Sequence, residues 1–390
     1  MSKATDLEWI NKNLIWLLPF LVIFSRIMFF LSFMPYAYYG YGDIPIYFDW
    51  TSLDGWPFID YWVEYPPLFP FISEVLYRFA GGNKYFYVFY LALVISFACA
   101  GAVVVFQKLS NRLYGKEIGL IKTLLFFVLL IIHPYTWWYA EPITVFLFIT
   151  ALYASMTKYN WLSGLWIGIG VLSKWFPLFI IPSIGRYFPI KKSISIVVFA
   201  IFIPVLTFGV LYLISPDMTL ASLLSQPNRT SWQTIWALID GNFTTGAFLT
   251  TEDRLNPDVA RIPTGFPAVI PTRITLLIFA VIGLWLWSRW NNRSEISFVA
   301  FTGVSWNLFL LWSPGWSPQW IFYIIPLTIL ILPISSGLLW SLLLIIITNF
   351  EWPLLLMSNT FEALYIIVPL RILIFIFLLR EFYKFCHVKG

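Results

Sequence analysis

Residues 14–34 read LIWLLPFLVIFSRIMFFLSFM, a largely apolar run that contains one charged residue, Arg26. A helix needs about 20 apolar residues to cross the hydrocarbon core of a bilayer, and this run has that length. It also lacks the small-residue cleavage site of a secretory signal. We therefore expect it to remain in the protein as its first membrane-spanning helix.

The rest of the chain repeats this apolar character. Of its 390 residues, 60% are hydrophobic and 11% are charged, and the mean hydropathy is +0.80. These values are typical of a polytopic membrane protein and leave no room for a large soluble domain. We predict an all-α fold in which 1–390 form a single membrane domain of about 10–12 transmembrane helices. The candidate segments are 14–34, 85–107, 121–133, 139–157, 160–173, 175–184, 194–214, 273–290, 296–312, 319–333, 336–350 and 362–379.

Composition and motifs argue against several classes of function. The net charge of +5 does not predict a nucleic-acid partner, because Lys and Arg in a membrane protein report its orientation. The two cysteines, Cys99 and Cys386, lie far apart in sequence, which argues against a disulfide framework, and two histidines are too few to suggest a zinc site. There is no phosphate-binding glycine loop, GxSxG, HExxH or CxxC motif. We expect no metal and no cofactor.

Charge assigns the connections between apolar segments to two sides of the membrane. One alternate set carries 15 of the 24 Lys and Arg residues, and the other carries 14 of the 19 Asp and Glu residues. By the positive-inside rule, the basic set and both termini are cytoplasmic. Two long loops, at 35–66 and 215–272, then face outward and point to an extracytoplasmic site. The short chain favours the plasma membrane of a prokaryote, an archaeal one in particular.

The first outer loop concentrates carboxylates. Residues 41–67 read YGDIPIYFDWTSLDGWPFIDYWVEYPP and hold five acids with no Lys or Arg. Asp43 lies near an apolar boundary, where the proton affinity of a carboxylate rises, so it could act as a general base on a hydroxyl. A solvated loop acid is the plain alternative. Five acids also leave a cation site open, although their spacing matches no named calcium loop.

Lys174 is a lone cation between two apolar runs in GLWIGIGVLSKWFPLFIIP, residues 164–182. A charge at membrane depth costs at least ~2.5 kcal/mol on insertion scales. The side chain could extend to the interface, yet Lys is disfavoured on the outer side. A bound anion would resolve both objections, and a lipid phosphate is the obvious one.

Two arginines lie inside predicted spans, Arg26 in the first and Arg371 in the last. Each could pair with the other, with Glu351 or Glu362, or with a lipid phosphate. Glu141 opens a span, where a carboxylate suits the positive end of a helix.

The outer loops QPNRTSW (226–232) and SPGWSPQW (313–320) are rich in aromatic and polar residues. Such loops form interfacial belts or sugar-binding surfaces, and composition leaves both open. We expect substrate contacts from seven residues of the outer segments, namely Tyr47, Glu64, Tyr65, Glu141, Asn228, Trp316 and Gln319.

The order of these features resembles the GT-C superfamily of membrane glycosyltransferases. The shared features are an early outer-loop Asp, a following YPP, a helix-end KWFP and a late SPxxS(P)Q segment. The likeness is greatest to polyprenol-phosphate-mannose-dependent α-mannosyltransferases and more distant to the first GPI mannosyltransferase. It spans most of the chain, but only GDIPIY…YPPL and SKWFP are moderately specific.

The resemblance implies a GT-C type helical bundle whose outer loops form the active site. It implies an inverting transfer of a hexose, mannose above all, from a polyprenyl-phosphate donor to a lipid- or glycan-linked acceptor. Asp43 then matches the catalytic base and Lys174 the lysine near the donor phosphate, with Arg26, Arg229 and Arg371 as further candidates for phosphate contact. YAEPIT and Gln319 depart from the pattern of many relatives, which leaves the roles of Glu141 and Gln319 open.

Two other functions compete with this hypothesis. A transporter or flippase of lipid-linked sugars would use intramembrane cations along a translocation path, and it predicts an internal repeat that we do not see. A membrane scaffold without catalysis would not explain acids and a lysine gathered on one side of the membrane.

Overall fold

The computed structural model of this protein describes residues 3–33, 42–157, 159, 161–243, 250–263 and 265–387. Within these ranges the chain is helical and contains no β-strand, which confirms the predicted all-α membrane fold. Parts of both predicted outer loops, 34–41, 244–249 and residue 264, lie outside the described residues.

Sixteen α-helices occur in the part of the chain that is described. They are α1 (Lys3–Phe33), α2 (Ile44–Thr51), α3 (Leu68–Phe79), α4 (Lys84–Ile132), α5 (Tyr135–Trp138), α6 (Glu141–Ser155), α7 (Trp161–Ser173), α8 (Ile181–Tyr187), α9 (Ile190–Ile214), α10 (Pro216–Ser225), α11 (Ile235–Asp240), α12 (Thr272–Arg289), α13 (Glu295–Trp312), α14 (Ile321–Ile331), α15 (Ile334–Asn349) and α16 (Leu364–Phe385). Short 3₁₀ or π turns connect several of them, at Phe176–Ile180, Glu252–Leu255, Val259–Arg261, Pro318–Trp320, Phe350–Leu355 and Phe361–Ala363.

Seven helical segments of the described ranges are long and apolar enough to cross a membrane. Helices α6 and α7 and the segment Pro318–Ile331 are apolar but shorter. Two predicted segments, 85–107 and 121–133, fall in the single 49-residue helix α4, which breaks at Gly115 with φ +77°. The predicted segment at 175–184 instead forms a 3₁₀ turn and the short α8. The protein is therefore a multi-pass helical membrane protein.

The described residues gather into two compact units. The first contains 1–178, 195–226 and 250–261, and the second contains 179–194, 227–249 and 262–390. Two units can belong to one membrane domain, so this division leaves the single-domain prediction untested.

In the first unit, α4 packs against α1 and α6, and α6 pairs with α7. The α6–α7 hairpin is fastened at its turn by the hydroxyls of Ser155 and Ser163, 2.5 Å apart. At its open end the hydroxyls of Thr144 and Ser173 lie 2.6 Å apart. This antiparallel pairing brings the first residue of α6 beside the residue that follows α7.

In the second unit, α13 packs against α8, α12, α14 and α16. Most of α13 is buried, as is the whole of α14. Only Thr275 and Leu286 of the 18-residue helix α12 are buried within the protein, as expected of a helix that faces lipid.

Candidate active site

The backbone before α2 places Asp43 at the start of that helix. Gly42 adopts a left-handed φ of +61°, which favours glycine. A Cβ at Gly42 would lie 2.7 Å from the Trp138 carbonyl oxygen, so this position also requires a close backbone approach. The Asp43 N–H donates to that same oxygen at 3.3 Å. Asp43 is the N-cap of α2, but its side chain makes no capping hydrogen bond and remains available for other contacts.

Two tyrosine hydroxyls hold the Asp43 carboxylate. Tyr65 donates to Oδ2 at 2.7 Å and Tyr47 donates to the same oxygen at 3.3 Å. No other side-chain hydrogen bond to Asp43 occurs among the described residues. Because both tyrosines bind Oδ2, Oδ1 is the oxygen that could accept a proton from a substrate. The structure thus brings together Asp43, Tyr47 and Tyr65, while the catalytic and substrate-binding roles expected for them from sequence remain predictions.

The surroundings of Asp43 raise its proton affinity. The pKa of Asp43 is raised from 3.8 to about 6, mainly by burial and in smaller part by the Glu141 carboxylate. The Tyr65 hydrogen bond and the Lys174 ammonium lower the pKa and partly oppose this rise. Burial also raises the pKa of Tyr47 and of Tyr65 well above the ordinary value, so both remain protonated donors at neutral pH. A carboxylate with this pKa is a competent general base near pH 7.

Lys174 lies at the open end of the α6–α7 hairpin. Its Nζ forms an ion pair with Glu141 Oε1. The Glu141 side chain is fully buried, whereas 13% of the Lys174 side chain is exposed. Lys174 Nζ also lies 5.2 Å from the ring centroid of Tyr65, the same tyrosine that binds Asp43. Tyr65 thus contacts both the carboxylate of Asp43 and the ammonium of Lys174.

Glu141 does more than open a helix. One of its oxygens, Oε1, binds Lys174, and the other, Oε2, is buried with no hydrogen-bond partner in the described part of the chain. The sequence predicted either a helix cap or a substrate contact for this residue. The ion pair with Lys174 is a third role, which neither the cap argument nor the resemblance anticipated.

Glu64 is buried in a bidentate ion pair that the sequence did not reveal. Its two oxygens accept from Nη1 and Nη2 of Arg254, 190 residues further along the chain. The Arg254 guanidinium lies 5.4 Å from the ring centroid of Trp50 and 5.2 Å from that of Trp62. A buried carboxylate needs a cation, and the acidic loop has none. From the sequence alone, the few arginines of 215–272 were therefore the candidates for the partner of Glu64.

Arg26 is bound by the protein itself. Its guanidinium donates to the Thr136 carbonyl oxygen at 2.7 Å and to the Thr136 hydroxyl, and it stacks 4.0 Å from the ring centroid of Trp137. Arg26 therefore fixes the segment whose next residue, Trp138, accepts from Asp43. Contact of Arg26 with a donor phosphate remains a prediction.

The other predicted residues belong to the second unit. Arg371 pairs with Glu351, one of the partners proposed from the sequence, donates to the Gln233 carbonyl oxygen and lies 4.5 Å from the Trp316 ring centroid. One face of Trp316 is thereby covered. Arg229 stacks 4.0 Å from the ring centroid of Trp232. Asn228 is partly exposed and Gln319 is buried beside the 3₁₀ turn.

The described residues contain no group of three or more His, Cys, Asp or Glu side chains that could hold a metal ion. No family model, no curated protein and no solved structure matches this chain.

Proposed function

We propose that this protein is an inverting glycosyltransferase of the GT-C type. The donor is a hexose on a polyprenyl phosphate, mannose by the resemblance, and the acceptor is a lipid- or glycan-linked hydroxyl on the extracytoplasmic face. The observation that carries the proposal is the environment of the Asp43 carboxylate. This carboxylate has a pKa of about 6, and the Tyr47 and Tyr65 hydroxyls fix its Oδ2 close to a lysine.

The proposed reaction is a single displacement at the anomeric carbon. Asp43 takes the proton of the acceptor hydroxyl as the acceptor oxygen forms its bond to that carbon. The bond between the anomeric carbon and the phosphate oxygen breaks, and its electron pair leaves with the polyprenyl phosphate. Inversion follows because the nucleophile attacks opposite the leaving group.

Lys174 supplies the positive charge for the leaving group in this proposal. Fixed charges aimed at the atom where negative charge develops are usually the largest contribution to catalysis. The 13% exposure of the Lys174 side chain leaves it accessible to a phosphate, whereas Glu141 is sealed. Arg229 and Arg371 lie in the other unit, and the proposal does not depend on them.

Sugar transfer by the purified full chain tests the proposal. Radiolabelled polyprenyl-phosphate sugars are offered together with membrane-lipid and glycan extracts. We expect transfer by the wild type and a loss of about 10²–10⁴-fold in Asp43→Asn, which removes the base. Asp49→Asn, an exposed carboxylate on the same helix α2, is the matched control and should retain activity.

Two results would contradict the proposal. Near-wild-type turnover of Asp43→Asn would remove Asp43 from the mechanism. Absence of transfer from every carrier, together with movement of sugar lipid across vesicle membranes, would favour the flippase instead.

A further inference from the structure

The second unit contains a small pocket that the proposed reaction does not use. Its volume is about 180 Å³. Three segments line it: 227–240, 268–275 and 312–314. All of them lie in connections, or at the ends of spans, that the charge distribution assigns to the outer side. At about 30 Å³ per water molecule, the pocket has room for about six waters, or for one hydroxyl-rich ring in their place.

The walls of the pocket are joined by hydrogen bonds that fix its shape. Ser231 donates to Asp240 Oδ2 at 2.6 Å, and the Val269 N–H donates to Oδ1 at 2.7 Å. The Asn242 amide donates to Ser231 at 3.0 Å. Trp236 Nε1 donates to the Leu311 carbonyl oxygen at 3.3 Å. A ligand therefore enters a site whose three wall segments are already ordered.

Other polar groups of the lining remain available. The hydroxyls of Thr230 and Thr272 donate no hydrogen bond to any of the described residues and are partly exposed. The indole Nε1 of Trp312, which also lines the pocket, is buried without a partner among those same residues. Buried N–H groups are rarely left unpaired, so this donor is an observation that points to a ligand.

The chemistry of the lining selects among ligands. Two tryptophans, Trp236 and Trp312, offer apolar surface, and hydroxyls, a carboxylate and a guanidinium offer donors and acceptors. Asp240 would oppose a second negative charge in so small a space, which disfavours a phosphate despite Arg229. A neutral ring with apolar faces and a rim of hydroxyls satisfies both kinds of surface.

We propose that this pocket binds one neutral hexose unit of a glycan or glycolipid. The proposal rests on the function above only for the idea that glycans are the substrates. It assigns to the second unit a sugar site of its own, built by α11, the start of α12 and the end of α13.

Ligand-observed NMR on the full chain in lipid nanodiscs tests the proposal. The probe is methyl α-mannoside, titrated beside inorganic phosphate. We expect saturable sugar binding and no competition from phosphate. Thr272→Val and Thr230→Val each remove one hydroxyl and should weaken binding about fivefold, the value of one net hydrogen bond. Thr207→Val in α9 is the matched control, since its hydroxyl bonds only within its helix and lies outside the pocket.

A further variant tests the pocket without removing any group that could bind the sugar by a hydrogen bond. Ala268→Phe adds a ring at the exposed edge of the pocket and should abolish sugar binding while the protein stays folded. Unchanged binding in this variant, or saturable binding of phosphate in place of sugar, would overturn the proposal.

The result separates this proposal from the proposed transfer reaction. Sugar binding by a protein that transfers nothing would support the pocket and count against the reaction. Transfer without saturable binding at the pocket would do the opposite. Asp43→Asn should bind the sugar as the wild type does, because Asp43 does not line the pocket.

Discussion

Asp43 is subject to opposing influences that set the pH range in which it can accept a proton. Burial raises its pKa to about 6, while the Tyr65 hydrogen bond lowers the pKa. A general base works only when it is deprotonated. We expect kcat/KM for sugar transfer to be flat above pH 7 and to fall tenfold per pH unit below about 6. A pH–rate profile checks this, and an acid limb near pH 4 would contradict a raised pKa for Asp43.

Removing one tyrosine hydroxyl should move that acid limb. In Tyr65→Phe the carboxylate loses a donor that favours its charged form, so the pKa of Asp43 rises and the limb moves above pH 6. Tyr47→Phe should give a smaller displacement in the same direction, since its hydrogen bond is 3.3 Å long. Tyr61→Phe is the control, because the Tyr61 hydroxyl binds Glu74 instead. Three coincident profiles would contradict the assignment.

The turn before α2 should tolerate no side chain at Gly42. Gly42 and Gly81 both have left-handed φ, +61° and +59°, but only at Gly42 would a Cβ meet the Trp138 backbone. Gly81→Ala should therefore cost only about 1 kcal/mol of stability for the backbone conformation. Gly42→Ala adds a clash beside Asp43, so we expect a larger loss of stability and a loss of transfer activity. Thermal unfolding in detergent and an activity assay compare the two, and equal losses would exclude the close approach.

The Glu64–Arg254 pair holds the segment 250–261 against the loop that contains Tyr65. Breaking a buried pair leaves an uncompensated charge, which costs about 3–5 kcal/mol. We expect Arg254→Gln to destabilise the protein by that amount and the double variant with Glu64→Gln to recover part of it. Lys384→Gln, which breaks the exposed pair with Glu381, should cost less than about 1 kcal/mol. Denaturation of the wild type, of Arg254→Gln, of Glu64→Gln and of the double variant measures the coupling, and its absence would contradict the pairing.

The orientation of the whole molecule can be tested through α4. The part of α4 before Gly115 is about 45 Å long at 1.5 Å per residue, more than the hydrocarbon core requires. Arg78, near its start, binds the Gly55 carbonyl oxygen, so the neighbouring acidic loop lies at the opposite end from Gly115. An impermeant maleimide on intact cells should label Asp54→Cys and not Glu117→Cys. The native Cys99 and Cys386 are buried. The reverse labelling would invert the assigned topology.

The membrane fold was predictable from sequence because apolar length and charge asymmetry act locally. The contact between Asp43 and Tyr47 is also local, because Tyr47 follows the N-cap Asp43 of α2 by four residues. The partners of Glu64 and of Lys174 were not, because each pair joins segments that only the packing of helices brings together. Arg254 had no local feature that marked it, and the predicted role of Lys174 toward a phosphate concealed its contact with Glu141.

The long separation of Glu64 from Arg254 also bears on how the protein is made. A ribosome adds about 5–20 residues per second, so the 190 residues between them take about 10–40 s. Throughout that interval the newly inserted loop carries a carboxylate without its eventual partner. The nascent chain must keep this acid in water, at the membrane surface or in the insertion machinery, until residue 254 arrives. Assembly of this part of the protein therefore includes a late ionic pairing beside the loop that contains Asp43, and truncated chains that stop before residue 254 cannot form it.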